Sequence, residues 1–63
     1  MNTAGQKAIK QVLGNLRDDL YRYRHFAKPT DLVGGGPETA ADVIVALEEK
    51  ERDLVDALRE AQS

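Results

Sequence analysis

The chain has 63 residues, no cysteine and one histidine, and its nine basic and eleven acidic side chains leave a formal charge of −2. A chain this short forms one domain that buries only about 60% of the surface its unfolded form exposes. Without cysteine or a second histidine, neither a disulfide framework nor a zinc site can reinforce it, so association with another chain is the support that remains.

From Ile9 the apolar residues fall at Ile9, Leu13, Leu16, Leu20, Tyr23 and Ala27, in steps of 4, 3, 4, 3 and 4 that place them on one stripe of a helix. Asn2 or Thr3 can cap it. Pro29 biases Lys28 away from helical dihedrals, so this first helix is expected over about 3–27.

A breaker segment follows. Pro29, Thr30 and Asp31, then Gly34, Gly35 and Gly36, predict a turn over about 28–36, with Leu32 and Val33 free to fold over the open end of a helix pair. The glycines are not a phosphate loop, because no Gly-Lys-Ser/Thr follows them and no strand precedes them.

Ala40, Ile44, Leu47, Glu51, Leu54, Leu58 and Ala61 repeat the steps of 4 and 3, which predicts a second helix over about 37–61. Pro37 fits its first position, and Thr39 with Asp42 offers a second start as a capping pair. The fold class is therefore all-α: an antiparallel αα-hairpin with arms of about 24 residues and about 36 Å.

The apolar face is wider than one seam requires. Val12 and Phe26 flank the stripe of helix 1, and Ala41, Val43, Val55 and Ala57 flank that of helix 2. Such a surplus marks an association face, completed as a four-helix bundle by a second copy or by packing on a different protein. Two positions interrupt the pattern. With the turn centred near Leu32, Glu51 faces Leu13 and Gly14, where it sits at a solvated edge or pairs with Lys10, or else makes a polar contact that fixes register or partner choice. Gly14 costs about 1 kcal/mol relative to alanine inside a helix; it is either a tolerated surface glycine or a site of close backbone approach.

Charge is divided between the halves: residues 1–28 carry six basic and two acidic side chains, residues 29–63 three and nine. Lys7, Lys10, Gly14, Arg17, Tyr21, Arg24 and Lys28 form a basic stripe beside the core stripe of helix 1. Its plainer account is structural. Cations near the end of helix 1 and anions near the start of helix 2 complement the helix dipoles, and Arg17 can reach Glu48 across the seam. Lys7, Lys10, Arg17, Tyr21, Arg24 and Lys28 are otherwise available to an acidic partner, or to phosphates in the manner of a nucleic-acid binder. The net negative charge weighs against the latter.

Nothing points to catalysis. His25 lies away from the core with no second ligand for a metal, and a two-helix chain offers little interior in which to activate a base or nucleophile. No catalytic residue, cofactor, metal or small-molecule substrate is expected. MNTAGQKAIK contains no apolar run of signal-peptide type and no stretch of about 18 apolar residues follows, so a soluble, cytoplasmic protein without membrane contact is expected.

The sequence thus reads as a non-enzymatic protein–protein interaction module, an adaptor, regulatory or assembly subunit. It would act as a homodimer or by docking its apolar face on a protein partner. The alternatives are a nucleic-acid-binding hairpin dimer that uses the basic stripe, and a structural subunit of a larger assembly such as a viral particle. The residues identify neither the partner nor the process, nor do they separate self-association from hetero-association.

Overall fold

The computed structural model describes residues 3–62. Two helices, α1 (Thr3–Phe26) and α2 (Ala40–Gln62), pack against each other as an antiparallel hairpin. Asn2, one candidate cap of α1, lies outside the described residues. No helix among the described residues is long and apolar enough to cross a membrane.

The connection is more ordered than its composition suggests. After Ala27, whose amide donates to the Tyr23 carbonyl, Pro29 stops the helix, and the Asp31 amide donates to the Lys28 carbonyl at 2.9 Å while the Asp31 carboxylate accepts from the Lys28 amide at 2.9 Å. Pro29 thereby occupies the second position of a β-turn, which its fixed φ favours. Leu32 then pairs with Thr39 in an isolated antiparallel bridge, and the Val33 amide donates to the Glu38 carbonyl at 2.9 Å. Gly34 (φ 66°) and Gly35 (φ 73°) close this small hairpin, with the Gly36 amide donating to the Val33 carbonyl at 3.3 Å. Positive φ at both central residues is the signature of a type I′ turn. Gly34→Ala or Gly35→Ala should each destabilise the fold by about 1–2 kcal/mol. Gly36 needs no positive φ and a Cβ there would meet only the Val33 carbonyl oxygen at 3.9 Å, so chemical denaturation should find Gly36→Ala close to neutral.

The connection also decides where α2 begins. Thr39 and Asp42 form a reciprocal capping pair: the Asp42 amide donates to Thr39 Oγ1 (3.4 Å) and the Thr39 amide to Asp42 Oδ2 (3.3 Å). The amides of Ala40 and Ala41, which have no partner within the helix, donate to the carbonyls of Asp31 (2.8 Å) and Pro29 (3.1 Å). The expected start at Pro37 is therefore corrected to Ala40, and Pro37 belongs to the descending arm of the connection. Leu32 does not cover the helix pair as expected. It is 68% exposed, while Val33 is half-buried.

This later start moves the axis of the hairpin from Leu32 to the Gly34–Gly35 pair, and the register shifts with it. Arg17 pairs with Glu51 rather than Glu48, and Glu51 does not pair with Lys10. At the open end, Gln6 Nε2 donates to the Ala61 carbonyl at 3.0 Å, satisfying one of the last carbonyls of α2.

Burial is uneven. Leu13, Leu16 and Leu20 of α1 are buried, but α2 buries only Ala40, beneath the connection whose Asp31 carbonyl accepts from its amide. Ile44, Leu47, Leu54 and Leu58 of α2 are all half-exposed. The molecule measures 43 × 18 × 15 Å with a radius of gyration of 13.9 Å, against about 10.6 Å for a globular domain of this length. Its accessible surface is 4847 Å², where a folded 7.0 kDa monomer is expected to expose about 4,000 Å². Two helices side by side have one contact seam, and the remainder of each apolar arc stays at the surface.

Gly14 has no other heavy atom within 4 Å of the position a Cβ would take, so no backbone approaches it within the hairpin. Gly14→Ala should raise stability by about 1 kcal/mol through helix propensity alone. A loss of stability in thermal unfolding would instead point to a chain packed on that side.

Candidate helix-docking groove and basic stripe

The paired arginines of the basic stripe and the apolar groove lie on different sides of the seam. On one side, Arg17 Nε contacts Glu51 Oε2 at 2.9 Å and an Arg24 terminal nitrogen contacts Glu48 Oε2 at 3.1 Å. Both pairs are partly exposed, with Glu51 the more covered at 29%. Pairs of this kind contribute about 0.2–1 kcal/mol each and are screened by salt. Replacing Arg17 and Glu51 separately and together should therefore yield a coupling energy below about 1 kcal/mol that shrinks as salt is raised.

The ion pairs engage two of the stripe's cations within the chain. Lys7, Lys10 and Lys28 are exposed and join no ion pair among the described residues. Tyr21, 57% exposed, stacks on His25 at 4.3 Å between ring centroids and meets Phe26 edge-on at 6.2 Å. Among the described residues no group of histidine, cysteine and carboxylate side chains could hold a metal, and His25 is an exposed ring at the dipole-complementing end of α1.

On the other side of the seam lies an open groove of about 450 Å³. Its apolar floor is made by Val12 and Leu16 of α1 with Leu47 and Leu54 of α2. Asn15 and Asp19 stand on the α1 lip, Lys50 and Asp53 on the α2 lip. The floor exists because Leu47 and Leu54 lie at the edge of their stripe, where the seam covers one flank of each and leaves the other partly bare, with buried Leu16 beneath. Buried side-chain polar atoms without a partner are absent among the described residues, so nothing in the interior asks for a polar ligand.

No family model, curated protein or solved structure matches the chain. Geometry and chemistry alone therefore carry the functional reading.

The six residues expected to form an association face divide between the two sides. Val12 lines the groove and is 51% exposed. Val43 and Ala57 are half-exposed and share its side, since positions 43, 47, 50, 54 and 57 run in steps of 4 and 3 through three groove residues. Ala41 and Val55 lie instead on the row of Glu48, seven residues to either side of it, next to the ion pairs. Phe26 is 79% exposed at the end of α1. The lip residues Asp19 and Lys50 were given no role by the sequence reading. The signal that marks them is positional: Asp19 is seven residues from Val12, and Lys50 seven from both Val43 and Ala57.

Proposed function

We propose that the chain is a non-enzymatic protein–protein interaction module that works by having its open apolar side covered by another helical chain, completing a four-helix bundle. The observation that carries this reading is the state of α2, in which no large apolar side chain is buried although Ile44, Leu47, Leu54 and Leu58 lie on its inner stripe. A helix earns most of its stability from tertiary packing of its apolar face, and this one has been given only part of that packing by α1. The ion pairs of Arg17 and Arg24 support a structural account of the basic stripe, in which positive α1 is held against negative α2.

Circular dichroism over a dilution series, with molar mass measured at each step, tests the reading. Helicity should be lost on dilution if the chain covers itself, or should be low throughout and gained on adding the neighbouring subunits if it is a piece of a larger assembly. A monomer that stays fully helical at nanomolar concentration removes the need for a covering chain.

A second reading rests on the exposed rings of Tyr21 and His25 beside Lys28, with Lys7 and Lys10 further along the stripe. Exposed aromatics among cations suit single-stranded nucleic acid. Binding would weaken steeply with salt and disappear when Lys7, Lys10 and Lys28 are replaced by glutamine. Absence of binding to oligonucleotides at low salt ends this reading.

A further inference from the structure

We propose that the groove is covered by a second copy of this chain, related by a two-fold axis along the length of the hairpin, so that α1 of each copy lies over α2 of the other with both connections at the same end. The proposal rests on the interaction-module reading and adds the occupant and its register.

The argument begins from levels within one hairpin. Arg17 stands level with Glu51 and Gln6 with Ala61. Arg24 reaches Glu48, most of a turn further along, and the mean of the three contacts sets Val12 level with Ala57, Asp19 with Lys50, and Phe26 with Val43. On each helix these positions recur every seven residues, about 10.5 Å apart, and so lie in one row. Val12, Asp19 and Lys50 line the groove. The α1 row reads apolar, acidic, apolar; the α2 row reads apolar, basic, apolar.

Rotation about the hairpin's long axis preserves levels and exchanges α1 for α2. It therefore lays Val12 over Ala57 of the second copy and Asp19 over Lys50 of the second copy, each contact occurring twice, as an isologous interface requires. Among the described residues no ion pair joins Asp19 to Lys50 within one chain; Asp19 reaches only Arg22, at 4.0 Å. Phe26 and Val43 close the row at the turn end, where the ring of Phe26 meets Tyr21 edge-on in the single chain.

Area agrees with a partner of this size. The surface of 4847 Å² exceeds that expected of a compact monomer by about 800 Å², the share one partner contributes to a standard interface. The four lip side chains, two acidic, one basic and one amide, offer no single-sign field for a strongly charged partner.

The test is sedimentation equilibrium on Asp19→Lys, on Lys50→Glu and on their equimolar mixture, with helicity recorded for each. Both side chains are exposed, so the hairpin itself should be unaffected. Each variant alone should dimerise about tenfold or more weakly than the parent, because both symmetric contacts become like-charge. The mixture should recover near-parent affinity as a heterodimer, since pairing the two variants restores both opposite-charge contacts between chains. A dimer that ignores the substitutions, or one the mixture does not rescue, overturns the proposed register while leaving the interaction-module reading standing. A chain that is monomeric and poorly helical at every concentration overturns self-docking in favour of a different protein. A monomer fully helical at nanomolar concentration overturns both.

Discussion

Leu20→Ala is expected to lower the unfolding midpoint by at least about 10 °C at fixed protein concentration. Leu20 is 1% exposed and is the largest fully buried side chain among the described residues. Leucine-to-alanine truncations at such sites cost about 2–5 kcal/mol, and each kcal/mol moves the midpoint of a domain this small by about 4–8 °C. The whole stability of a 63-residue chain is only about 3–9 kcal/mol, so the substitution removes a large share of it. The neighbours have little means to compensate, because α2 supplies no buried side chain larger than Ala40. Leu58→Ala, at a half-exposed site, should cost markedly less. Thermal melts of the two variants at equal concentration check the contrast; equal losses would mean that the core is not centred on α1.

Val12→Glu is expected to weaken association by more than about a hundredfold without burying a charge inside the single hairpin. Val12 is 51% exposed in the hairpin, so a carboxylate there remains solvated in the free chain. In the covered groove it would sit unpaired against Ala57 of the second copy, and burying such a charge costs about 3 kcal/mol or more, where 1.4 kcal/mol is tenfold in affinity. Val45 is the matched control. It is 56% exposed, accepts the same substitution with the same change in helix propensity, and lies on the outer face of α2, so Val45→Glu should alter stability and association by no more than about 0.5 kcal/mol. Two substitutions of like chemistry and like exposure thus have opposite expected outcomes, read by sedimentation. Equal effects would mean that the groove side has no special role.

Much of the architecture was legible because helices advertise themselves through short-range spacing. The 4 and 3 steps through Leu13, Leu16 and Leu20 placed three residues that are buried, and Thr39 with Asp42 was readable as a capping pair. The connection was less legible. Gly34 and Gly35 were read as generic breakers, although a Gly-Gly pair is also a signature of a tight β-turn. Pro37 was favoured as a helix start because its ring suits a first turn, but that local preference was overridden once the carbonyls of Asp31 and Pro29 captured the amides of Ala40 and Ala41. Moving that start shifted which arginine meets which glutamate, since register across the seam is set by the length and path of the connection rather than by either helix alone.

Taken alone, the sequence determined the two helices, their inner stripes, the excess of apolar flank and the opposite charges of the two halves, because each of these depends on residues three, four or seven apart in one chain. Only the tertiary structure decided which flanks share a side. It set Arg17 and Arg24 against Glu51 and Glu48, opened the groove between Val12 and Leu54, and brought Asp19 level with Lys50. Those relations join residues distant in sequence, and their geometry follows from where the connection releases the second helix, a quantity that no periodicity within a helix encodes.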